Sequence, residues 1–171
     1  MDIEEFKIKA LPVKNKLFRI AKRLLNNHEE AEDAVQEAFI KLWLKRDELE
    51  KYKSIEAFAV TITKNLCIDI LRSKKAVLTE MNEEFQKSQY DTPEQSYEKN
   101  EVYRQIKQAI EQLPENQKIA IQLRDIEGYE MEEVAKILDT SVGNVRVILS
   151  RARNAVKDSL IRIDSHSYEK N

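Results

Sequence analysis

The chain has 171 residues, with 29 lysines and arginines against 31 aspartates and glutamates; that is enough for one large domain or two small ones, without a strongly charged whole. Only two glycines and three prolines accompany a 35% charged fraction, which argues against a turn-rich β architecture and for long helices. A single cysteine, Cys67, excludes an internal disulfide, and neither a secretory signal nor an apolar run of the roughly 18 residues a membrane span needs is present.

A cytoplasmic, all-helical chain without membrane insertion is therefore expected. Its charge is segmented: residues 1–75 carry 16 basic and 13 acidic side chains, residues 76–100 carry 2 and 6, and residues 101–171 carry 11 and 12. A modest total thus leaves nucleic-acid binding open, because distribution matters more than the sum.

In chain order, Val13, Leu17, Ile20, Ala21, Leu24 and Leu25 repeat at helical spacing. Asn26-Asn27-His28 interrupts them, and a second helix is expected over Glu29 to Lys45, followed by a third from Ile55 to Arg72. Residues 76–92 are polar and acidic, lack a clean period, and read as a flexible linker. Thr92, Pro93 and Gln95 fit a cap, a first helical position and a capping box. The helix they open continues through Ile106, Ala109, Ile110 and Leu113. Pro114 opens the next, which ends near Gly128.

Met131, Val134, Ala135 and Leu138 then make one apolar stripe and Val145, Leu149, Ala152, Val156 and Leu160 a second, separated by the short turn Asp139-Thr140-Ser141. Two amphipathic helices joined this tightly fit a helix-turn-helix, whose second helix enters the major groove. At about 100° per residue, Val147 and Ser150 face away from the stripe, with Arg146, Arg151 and Arg153 around them. No acid lies between residues 140 and 157. Arginine pairs with guanine or phosphate, and a small apolar group meets a thymine methyl.

The second helix has an inward face of Ala31, Val35, Ala38 and Leu42, and an opposite set of Asp33, Gln36, Glu37 and Ile40. That second set fits either a solvated surface or a protein partner. On the third helix, Val60, Leu66, Cys67, Ile70 and Leu71 form the apolar side. Phe58, Ile62, Asn65, Asp69 and Arg72 lie opposite, where an aromatic ring with amide and guanidinium groups suits unpaired bases. Asp69 repels phosphate and fits better as an i, i+3 partner of Arg72. Lys74 and Lys75 follow as phosphate contacts.

Enzyme chemistry finds little footing. His28 and His166 are isolated, Cys67 sits in an apolar helix, and two glycines cannot build a phosphate cradle. Glu29, Glu30, Glu32 and Asp33 leave room for the magnesium site of a helical nucleotide pyrophosphohydrolase, yet no second acidic cluster matches them, and a helix N-terminus accounts for them. No catalytic residue, metal or cofactor is expected. An autonomous, dimeric helix-turn-helix repressor is the competing binding-module reading.

The blocks "AEDAVQEAFIKLW", "AFAVTITKNLCIDILRSKK" and "LPENQKIAIQLRDIEGYEMEEVAKILDTSVGNVRVILSRAR" resemble, in that order, the extracytoplasmic-function group of bacterial sigma factors, over residues 10–75 and 95–160. The resemblance implies an all-α fold of two small domains: region 2 at 1–75, a linker at 76–92, region 4 at 93–163 and a tail at 164–171. It implies RNA polymerase core as partner, with Asp33, Gln36, Glu37 and Ile40 on the clamp helices of the largest subunit and region 4 on the flap of the second-largest.

Lys51, Tyr52, Lys53 and Ser54 match the loop that captures a flipped base of the −10 element, a surface continued by Phe58, Ile62, Asn65, Arg72, Lys74 and Lys75. Thr140, Ser141, Asn144, Arg146, Val147, Ser150, Arg151 and Arg153 fall on the part that reads the −35 element. Promoter DNA and an anti-sigma factor are the further partners implied. The chain departs from the family's usual pattern at Phe58, where Trp is frequent, at Val147-Ile148 in place of Ser-Arg, and at Asn144 in place of Thr.

Overall fold

A computed structural model of the chain describes residues 1–52, 54–80 and 100–169. Among these residues the chain is all helix, without a strand, and divides into two compact units. The first holds α1 (Ile3–Ala10), α2 (Lys14–Leu25), α3 (His28–Leu44) and α4 (Ile55–Glu80); the second holds α5 (Glu101–Glu111), α6 (Glu115–Ile121), α7 (Met131–Ile137) and α8 (Val142–Glu169).

In the first unit α2, α3 and α4 pack against one another. The interruption at Asn26 is a single left-handed residue, φ 49°, a conformation asparagine tolerates better than most side chains. The next residue starts α3: the Glu30 amide donates to Asn27 Oδ1 at 3.0 Å. Leu17, Ile20, Ala21 and Leu24 are buried with Ala31, Ala34, Val35, Ala38 and Leu42 of α3, and with Ala59, Val60, Leu66 and Cys67 of α4. The alanines of α3 shorten the distance at which helices can pack. Thr63, buried among them, donates its hydroxyl to the Ala59 carbonyl at 2.9 Å, so no polar group is left unpaired there.

The second unit is built on α8, against which α5, α6 and α7 pack. The α6 helix widens into a π-helical turn, Gln122–Ile126, and the chain reverses at Gly128, φ +79°. A positive φ of this kind is why glycine stands there. Tyr129 is buried just beyond. The turn between α7 and α8 passes through Asp139 in the left-handed region, φ 52°, with the Thr140 amide donating to the Ala135 carbonyl at 2.9 Å. Val145, Leu149 and Ala152 of α8 are fully buried.

Several boundaries differ from the sequence expectation. The α1 helix, with Phe6 edge-on to Trp43 at 5.2 Å, had no counterpart in it. The α4 helix runs to Glu80, eight residues past Arg72 and into the segment read as linker; the rest of that segment, 81–92, lies outside the described residues. So do Thr92, Pro93 and Gln95, and the described helix begins instead at the Asn100 cap, whose side chain accepts from the Val102 amide at 3.0 Å. In α7 it is Ile137, with Val134 and Ala135, that is buried, whereas Met131 and Leu138 are half-buried. The segment read as a tail from 164 is helical to Glu169.

Candidate functional site

Three surfaces carry the candidate residues. On α3, the sequence of alanines turned inward leaves Asp33, Gln36, Glu37 and Ile40 exposed together, with Ile40 60% accessible. Leu44, one turn further on, is 72% accessible and extends the apolar strip. It was missed in the sequence, although its i+4 spacing from Ile40 was there to be read. Two exposed aliphatic side chains thus lie beside three polar ones on a helix whose other face is closed.

The second surface is the start and outer face of α4. Ser54 is its N-cap: the Ala57 amide donates to Ser54 Oγ at 3.1 Å and the Phe58 amide to the Ser54 carbonyl at 3.2 Å. The hydroxyl is thus committed to the helix start. Phe58 is not an open stacking surface as the sequence suggested; Tyr52 lies nearly parallel on it, centroids 4.1 Å apart and planes 19° from parallel. Lys45 Nζ is 5.7 Å from the Phe58 ring centroid, a neighbour that the sequence reading missed. Tyr52 is exposed and Phe58 half-buried, so the tyrosine is the more accessible of the two rings.

Lys51, Asn65, Arg72 and Lys75 are exposed and Ile62 is half-buried. Lys74 is held by Glu30 at 2.5 Å, across from the start of α3. Among the described residues no ion pair joins Asp69 to Arg72, against the expectation from their spacing. Lys53 lies outside the described residues.

The third surface is the N-terminal half of α8. Ser141 caps it, accepting from the Asn144 amide at 3.1 Å, and Asn144 Nδ2 donates to Thr140 Oγ1 at 2.8 Å. These three side chains order the helix start. Beyond them Arg146, Val147, Ser150 and Arg151 are exposed, and among the described residues no acid pairs with Arg146 or Arg151. Arg153 differs: its Nε and Nη2 donate to the two carboxylate oxygens of Asp125 at 2.9 and 2.6 Å. That hydrogen-bonded carboxylate raises the guanidinium pKa further above its ordinary value.

The remaining reactive groups are engaged elsewhere. His28 is not isolated; it lies edge-on to Phe18 at 5.1 Å and 3.2 Å from Glu32. His166 Nδ1 is 2.9 Å from the Arg162 carbonyl. Burial pushes the Cys67 thiol up to about 12, away from the thiolate needed of a nucleophile. Among the described residues no three His, Cys, Asp or Glu side chains converge as a metal site.

Compared with known proteins, residues 12–77 match the family described as Sigma-70 region 2, and residues 103–156 that described as Sigma-70, region 4. The chain is 29% identical to the ECF RNA polymerase sigma factor SigE of Mycolicibacterium smegmatis, over 90% of this chain and 60% of that protein. With ECF sigma factor SigW of Bacillus subtilis it shares 30% identity, over 86% and 84% of the two chains. The ECF sigma-E factor of Haemophilus influenzae is likewise 30% identical, over 93% and 89%.

Among solved structures, sigma factor RpoE in complex with the anti-sigma factor NepR from Bartonella quintana is similar at a TM-score of 0.79 and 29% identity, over 92% of this chain and 98% of that one. CnrH in complex with the cytosolic domain of CnrY is similar in fold, with a TM-score of 0.70 at 19% identity, over 94% and 90%.

Proposed function

The chain belongs to the extracytoplasmic-function (ECF) family of RNA polymerase sigma factors, and from that premise we propose how its surfaces divide the work of directing transcription initiation. The exposed strip Asp33, Gln36, Glu37 and Ile40, extended by Leu44, binds the largest subunit of polymerase core. One observation carries this: α3 leaves two aliphatic side chains in water on the side opposite a closed alanine face. Burying such side chains is worth about 1.5–3 kcal/mol each, a gain available only against a partner.

The −10 element is met by Tyr52, stacked on Phe58, with Lys51, Ile62, Asn65, Arg72 and Lys75 around it and Lys53 on the same loop. Lys74 joins them by exchanging Glu30 for phosphate, and Ser54 sets the angle at which the loop enters α4. The −35 element is read as duplex by Arg146, Val147, Ser150 and Arg151, while Thr140, Ser141 and Asn144 fix the start of the reading helix. Two modest DNA modules held on one polymerase reinforce each other through effective concentration, so neither needs a strongly basic surface. We assign the protein no catalytic activity and a cytoplasmic location. By analogy with RpoE and its partner NepR, an anti-sigma factor competes for the polymerase-binding faces.

Capture of purified polymerase core by the wild type and by an Asp33→Ala/Gln36→Ala variant tests the central claim. Core should be retained by the wild type and at least about tenfold less by the variant, whose circular dichroism should not change because both positions are exposed. Equal capture by both would remove α3 as the interface. No capture by a folded wild type would return the weight to an autonomous, dimeric repressor.

A further inference from the structure

The Arg153–Asp125 pair joins residues 28 positions apart and is bidentate, the geometry in which a carboxylate holds a guanidinium most firmly. Both side chains remain partly exposed, 53% for Arg153 and 34% for Asp125, so the pair sits at the surface and not in the core. A surface pair contributes little to stability. Its larger effect is on what Arg153 is free to touch. On α8, Arg146 and Arg151 are exposed and open to phosphate or bases, whereas the Nε–Nη2 edge of Arg153 is turned to Asp125, whose carboxylate balances its charge.

We propose that Asp125 is a positioning residue that acts through Arg153, withdrawing one cation of the reading helix from the DNA backbone and so setting the share of binding that is independent of sequence. The physical argument is counterion release. Each phosphate a protein neutralises steepens the salt dependence by about 0.9, and supplies affinity that every sequence shares equally. A helix with one fewer phosphate contact loses affinity that all sequences share without losing base contacts, so base contacts make up a larger share of the binding that remains. Asp125 lies on the π-helical turn and its carboxylate sits beside the fourth turn of α8, where Arg153 stands. The proposal rests on the −35 reading of α8. Its test uses only duplex DNA and the free 171-residue chain, so it fails or stands separately from polymerase capture.

The experiment is the salt dependence of binding to a fluorescent random-sequence 30-base-pair duplex, for wild type, Asp125→Asn, Arg153→Gln and the double variant, each with its thermal midpoint. With Arg153 released, Asp125→Asn should bind about threefold tighter at 50 mM salt and its log–log slope should steepen by about 0.9. Arg153→Gln should match wild type in slope, and adding it to Asp125→Asn should return the slope to the wild-type value. A pair that is only a strut would lower the midpoints of both single variants and leave every slope alike; that outcome overturns the proposal. So would a shallower slope in Arg153→Gln alone, which would place Arg153 on phosphate despite its carboxylate. A gain in Asp125→Asn that survives in the double variant would assign the effect to loss of a repelling acid, and would equally sink it. Absence of measurable gain at 50 mM counts against it as well.

Discussion

Arg146 stands on the second turn of α8, exposed and without an acidic partner among the described residues, directly before Val147. Its replacement by alanine should reduce −35-dependent transcription by about 1–3 kcal/mol in promoter affinity if the guanidinium meets a base edge. If it meets only phosphate, the loss should be equal across promoters and the salt slope should fall by about 1. Run-off transcription on matched and −35-mutated templates distinguishes the two, and unchanged activity on both would remove Arg146 from the interface. At this scale the sequence was informative wherever helical phase decided exposure, as for Arg146, Val147, Ser150 and Arg151. It was silent wherever a partner came from elsewhere in the chain. Nothing local to Arg153 announces Asp125, and nothing local to Phe58 announces that Tyr52, six residues before it on a loop, covers its ring.

The helices themselves were legible because their apolar periods are strong: Leu17, Ile20, Ala21 and Leu24 in α2, or Val145, Leu149 and Ala152 in α8, are each buried as their spacing requires. Their ends were less so. Within α1, only Phe6 and Ala10 are buried, too few to make a readable stripe. Past Arg72, α4 continues through Ser73-Lys74-Lys75-Ala76-Val77-Leu78, where no glycine or proline stops it and the loss of apolar period reflects exposure rather than the end of the helix.

The α2–α3 break is the reverse case, a stop made by one backbone conformation. Asn26→Gly should leave the thermal midpoint unchanged or slightly higher, because glycine adopts φ 49° without a Cβ penalty. Asn26→Val should lower stability by about 1–2 kcal/mol, since a β-branched side chain resists that region. Thermal melting by circular dichroism reads both, and a valine variant as stable as wild type would deny the left-handed stop any energetic weight.

For the whole molecule, 29 basic side chains are matched by 31 acidic ones, and in the proposed division of work the free chain relies on polymerase for tight binding to DNA. Its affinity for random duplex at physiological salt should be no tighter than the non-specific range of about 10⁻⁴–10⁻⁶ M. Fluorescence anisotropy measures this directly, and nanomolar binding by the free chain would contradict a reading in which polymerase supplies the proximity. The two-unit, all-helical plan followed from scarce glycine and proline and two separate sets of amphipathic stripes, whereas family membership required the three blocks taken together.

The α8 helix runs unbroken from Val142 to Glu169. At about 1.5 Å per residue, His166 stands roughly 20 Å along the axis from Arg153. The helix is therefore a built-in ruler: a fluorophore placed at position 166, which is exposed, would ride with the half proposed to read DNA while staying clear of the groove proposed for it.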